Sequence, residues 1–62
     1  MAINGDTLFE RGDKVRIIDG PYRGFEALVD ETLPQQGLMN VYVRLHGRLT
    51  RLELAYAQVR HL

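Results

Sequence analysis

From Met39 to His46 every second side chain is apolar: Met39, Val41, Val43 and Leu45 alternate with Asn40, Tyr42, Arg44 and His46. That period of two belongs to a strand with one face buried. It weighs heavily here because the chain has 62 residues and no cysteine. A chain of that length buries about 60% of the surface its unfolded form exposes. One core is therefore all it holds, with neither a disulfide nor a thiolate-bound metal to supplement it. The strand must find its partners in the few dozen residues around it.

Those partners are legible. Gly12-Asp13 is a turn signal, and Lys14-Val15-Arg16-Ile17 after it alternates as a first strand. Asp19 to Gly24 contains two glycines and a proline in six residues, the composition of a structured loop. Residues 25–32 read as a second strand, with Phe25, Ala27 and Val29 two apart and Phe25 assigned to the core. Leu33-Pro34-Gln35-Gln36-Gly37 closes it, since Pro34 cannot donate to a ladder and Gly37 accepts positive φ. Gly47-Arg48 is the expected tight connection to a fourth strand in which Thr50, Leu52 and Leu54 alternate, and Gln58-Val59-Arg60 is a short fifth. Met1 to Thr7 shows no apolar period and includes Asn4-Gly5-Asp6, so residues 1–7 read as a disordered lead-in and 8–62 as the domain. The expectation is an all-β, monomeric, closed five-stranded barrel that leaves no free edges. Its expected core is Val15, Ile17, Val29, Val41, Val43, Leu52, Leu54 and Val59, with Leu49 outside.

The second half also satisfies a different template. Leu38, Val41, Leu45, Leu49, Leu52, Tyr56 and Val59 recur at spacings of three and four, as on one face of a helix. Gly47, Val41, Val43 and Thr50 all lower helix propensity, so strands are expected in the isolated chain.

Catalysis finds no foothold. The chain has no serine, and its two imidazoles, His46 and His61, lie far apart in sequence with no cysteine, so no metal and no cofactor is expected. Asp30 and Glu31, as neighbours on a strand, should face opposite sides and not act together. Gly20-Pro21-Tyr22-Arg23-Gly24 lacks the Gly-Lys-Ser/Thr ending of a phosphate loop. Apolar runs stop at three or four residues, against roughly 20 for a bilayer span, and the absence of cysteine makes the cytoplasm the expected compartment. Eight Lys and Arg balance eight Asp and Glu, which disfavours a protein that coats phosphate backbones. The charge is split, however: residues 1–31 sum to −3 and residues 32–62 to +3, a distribution better suited to a protein partner than to nucleic acid. Within the loop, Tyr22 between Pro21 and Arg23 has the character of a protein contact, the alternative being a ring folded back as a lid over the barrel end.

The run Phe9-Glu10-Arg11-Gly12-Asp13-Lys14-Val15-Arg16-Ile17-Ile18-Asp19-Gly20-Pro21-Tyr22 resembles the opening of the KOW domain that ends NusG-family transcription factors. Gly47-Arg48-Leu49-Thr50-Arg51-Leu52-Glu53-Leu54 is similar to that family's fourth strand and Gln58-Val59 to its fifth, so the resemblance covers residues 8–62. Gly24-Phe25-Glu26-Ala27-Leu28 departs from ordinary NusG, which typically has an acidic residue in place of Gly24 and a glycine at Ala27, and looks more like the specialised paralogue RfaH. The resemblance implies an SH3-like barrel and no enzymatic activity. It implies a preceding domain, absent from this sequence, that rides RNA polymerase. It also implies recruitment of the ribosomal protein NusE and, for ordinary NusG, of the termination factor Rho, in the service of transcription elongation or antitermination. Carried over residue by residue, Tyr22 is the aromatic contact, and Ile18, Pro21, Arg23, Gly24 and Phe25 complete the expected partner-binding set. An RfaH-like chain would also hold its KOW domain as a helical hairpin until released, with Asp19 and Pro21 starting one helix and Leu33 to Gly37 forming the turn. The alternative is an RNA-binding KOW domain of the ribosomal type. Such domains usually carry lysines in and around this loop, where this chain has Asp19, Pro21 and Glu26 and a single lysine in all.

Overall fold

The computed structural model describes residues 9–62, and the expected lead-in, residues 1–7, lies outside them. Five strands follow in order: β1 (Lys14–Ile17), β2 (Glu26–Leu33), β3 (Leu38–Leu45), β4 (Arg48–Ala55) and β5 (Val59–His61), with a 3-10 turn at Tyr56–Gln58 before the last. All pairings are antiparallel, in one sheet of order β4-β3-β2-β1-β5. The inward residues Val15, Met39 and Val41 are 0% exposed. A single sheet achieves that only by wrapping around its own side chains, as a barrel does. The expected complete closure is not realised, because among the described residues no ladder joins β4 to β5 and the 3-10 turn bridges the two edges instead. No helix among the described residues is long and apolar enough to cross a membrane.

The core draws on every strand: Val15 and Ile17, Ala27 and Val29, Met39, Val41 and Val43, Leu54, and Val59. Two expectations about its membership are corrected. Leu52 is only half-buried, packed against the core from the edge strand, while Phe9, Ala27 and Met39 belong to it. Phe9 precedes the first strand and carries no periodicity. It is held by tertiary contacts, stacked on the His61 ring at 4.4 Å and edge-on to Tyr56 at 5.2 Å. His61, the last residue of β5, is thus packed against Phe9.

Turns set three further differences. The β3–β4 connection is His46-Gly47 rather than Gly47-Arg48: both take positive φ, 52° and 79°, the geometry of a two-residue primed hairpin turn. His46 therefore leaves the strand face on which alternation placed it. The β2 strand runs to Leu33, one residue past the expected break. A bulge falls between Val29 and Glu31, so Asp30 is the unpaired extra residue and Glu31 pairs with the outward-facing Asn40. The two carboxylates therefore share the outer face, where the Arg51 guanidinium donates to Asp30 Oδ2 at 3.1 Å and to Glu31 Oε1 at 3.3 Å. The expectation that they oppose each other is overturned by that one inserted residue. The helix-spaced stripe is likewise dispersed: Val41 and Val59 are buried, while Leu49 is 64% exposed.

Candidate functional site

The loop between β1 and β2 is tied down by its backbone. Ile17 and Phe25 extend the hairpin, the Ile17 N–H donating to the Phe25 carbonyl and the Gly24 N–H to the Ile17 carbonyl, both at 2.8 Å. Inside the loop the Arg23 N–H reaches the Gly20 carbonyl at 3.2 Å and the Phe25 N–H the Tyr22 carbonyl at 3.1 Å, while the Asp19 carboxylate accepts from the Gly20 N–H at 2.9 Å. Gly20 and Gly24 sit at φ 91° and 98°, where an L side chain is strained, and this explains the two glycines in the run. A second anchor comes from far along the chain. The Ile18 N–H donates to the Gln58 carbonyl at 2.7 Å, and the Gln58 side chain accepts from the Ala55 N–H at 2.9 Å. Gln58 thus clasps the loop to the 3-10 turn. Nothing in its sequence neighbourhood marked it for that role.

Of the six residues singled out, five are exposed: Ile18, Pro21, Arg23, Gly24 and Phe25. Tyr22 is half-buried and packs against the core, so its ring does fold back towards the barrel end while keeping an exposed part. The assignment of Phe25 to the core is wrong. It lies just before β2, is 42% exposed, and meets Tyr22 edge-on with ring centroids 6.3 Å apart. Hairpin geometry explains the displacement: Phe25 belongs to the loop closure and not to the β2 pleat, so counting by twos from Ala27 does not reach it. The result is an apolar surface of Ile18 (39% exposed), Phe25 and part of Tyr22, on a loop whose backbone is fixed at several points. At its base Arg16 pairs with Glu26 across the β1–β2 ladder at 2.9 Å. Aromatic and aliphatic groups thus sit on a rigid mount beside the exposed Arg23, residue types that are enriched at protein contacts.

Residues 11–47 match the KOW motif, and the chain belongs to the KOW family. Its relatives are transcription factors. It is 43% identical over 64 residues to the transcription termination/antitermination protein NusG of Pseudomonas aeruginosa, covering 95% of this chain and 36% of that protein. It is 41% identical over 58 residues to the NusG of Thermus thermophilus, covering 94% and 32%. A solved structure concerned with domain interaction in Thermotoga maritima NusG superposes with a TM-score of 0.82 at 33% identity, over 87% of this chain and 30% of that one. The chain spans about a third of the length of the curated relatives it matches.

Proposed function

We propose that residues 8–62 form the monomeric recruitment domain of a bacterial NusG-type transcription elongation and antitermination factor. It works in the cytoplasm, without catalysis, metal or cofactor. A preceding domain engages RNA polymerase, while the β1–β2 loop binds a protein partner, the ribosomal protein NusE or the termination factor Rho. The single observation that carries this reading is the exposed apolar surface of Ile18, Tyr22 and Phe25 on an anchored loop. Pro21 and Gly24 shape that loop and Arg23 supplies an exposed cation beside the aromatic pair. Similarity to NusG proteins supports the choice of partner class.

The test is Tyr22→Ala titrated by nuclear magnetic resonance with NusE and, separately, with Rho. The expected outcome is an intact barrel spectrum with binding of either partner weakened by about 2 kcal/mol, the scale of an interface hot spot. Unchanged affinity overturns the loop assignment. The RNA-binding alternative is tested by adding a generic RNA to the same sample: saturable shifts at Arg44, Arg48 and Arg51 that vanish steeply with salt would favour it.

The Gly24-Phe25-Glu26-Ala27-Leu28 run supports a specialised, RfaH-like paralogue, and its consequence is distinctive. Joined to its preceding domain, such a protein shows helical backbone shifts over residues 38–59 that revert to strand values when the linker is cut. Strand shifts in both states assign the chain to ordinary NusG.

A further inference from the structure

The outer face of the sheet carries a second apolar surface, away from the β1–β2 loop. Leu28 lies opposite Lys14 on β1 and opposite Tyr42 on β3, and Leu49 on β4 lies opposite Arg44. These side chains line one shallow groove, continued by Leu62, whose N–H donates to the Lys14 carbonyl at 3.2 Å. Leu28 is 43% and Leu49 64% exposed. A single exposed leucine is ordinary, but two leucines and a tyrosine on adjacent strands form a contiguous patch on a face that would otherwise be polar.

The charges around the patch indicate what fits it. Glu26, the one acidic side chain lining the groove, is held by Arg16 at 2.9 Å. Arg51, opposite Tyr42, is committed to Asp30 and Glu31. Lys14 and Arg44, in contrast, border the leucines and make no ion pair among the described residues. The groove therefore has an apolar floor and two cationic side chains, Lys14 and Arg44, at its rim. We propose that the Leu28–Tyr42–Leu49 face is a second docking surface, taking an amphipathic acidic peptide segment whose apolar side chains cover the leucines and whose carboxylates meet Lys14 and Arg44. A single-stranded nucleic acid fits less well, because its bases need stacking platforms and the groove offers one aromatic ring against three leucines.

The test uses this chain labelled with nitrogen-15 and a short synthetic peptide in which leucine alternates with glutamate. A peptide of the same pattern with lysine for glutamate serves as the charge control. The expected result is saturable amide shifts at Leu28, Tyr42 and Leu49 that weaken as salt rises, with little response to the lysine peptide. Leu49→Glu and Arg44→Glu change exposed side chains, so the barrel spectrum persists, and each should weaken peptide binding by about tenfold while leaving the β1–β2 loop resonances in place. Four results overturn the proposal: shifts confined to residues 18–25, equal binding of the lysine peptide, tighter binding of an oligouridine than of the acidic peptide, or concentration-dependent self-association through the same residues without peptide. The last would identify a second copy of this chain as the occupant.

Discussion

Gly20 and Gly24 have the same backbone strain and different surroundings, which makes them a matched pair. A Cβ at Gly24 meets nothing within 4 Å, whereas one at Gly20 meets the Gln58 Nε2 at 2.9 Å. Gly24→Ala should therefore cost only the strain of positive φ, about 1–2 kcal/mol. Gly20→Ala should cost that much and also move the Gln58 side chain, seen in the urea midpoint and in a shifted Ala55 amide resonance. A core residue behaves differently. Val43 is 1% exposed between Ala27 on β2 and Thr50 on β4, and Val43→Ala should lower stability by about 1–3 kcal/mol through the cavity it leaves, measured by urea denaturation. At this scale legibility followed periodicity. Val15, Ile17, Val29, Val41 and Val43 could be placed because each lies inside an alternating run. Phe9 and Gln58 could not, since both act through contacts with residues dozens of positions away that leave no local pattern.

The bulge at Asp30 determines what the outer face of β2 presents. Without it Glu31 would point inwards, and Arg51 would have only one carboxylate to bind. Because Arg51 and Glu31 are each about half exposed, the cluster should contribute little: Arg51→Ala is expected to cost at most about 1 kcal/mol, a loss that shrinks as salt is added to the unfolding assay. Such a bulge is invisible in composition, since Val29-Asp30-Glu31-Thr32 reads as an unbroken strand. The β3 strand shows the opposite case. Its clean alternation, and the glycine that permits a primed turn after it, fixed both its extent and its pairing with β4 to within a residue at either end. The helix-spaced stripe spans those same residues, and the difference lies in what each structure covers. As strands, Val41 and Val59 are buried in this chain's own core, whereas a helix would need another surface to take the whole stripe.

For the whole molecule, five strands on one small core imply a single cooperative unit of modest stability, since a domain of this size rarely exceeds about 3–5 kcal/mol. The far-ultraviolet circular dichroism spectrum of the isolated chain should be dominated by strand, with one transition in urea coincident with that of Tyr fluorescence. A helix-dominated spectrum would contradict the architecture. The candidate surface was partly legible at this scale: the β1–β2 loop stood out for its glycines, proline and tyrosine, but the exposure of Phe25 depends on where the hairpin closes, and the Leu28–Leu49 face on strand order. The Gln58 clasp has a mechanical implication. Because the Ile18 amide is held by the carbonyl just ahead of β5, one anchor of the β1–β2 loop lasts only while β5 stays zipped to β1.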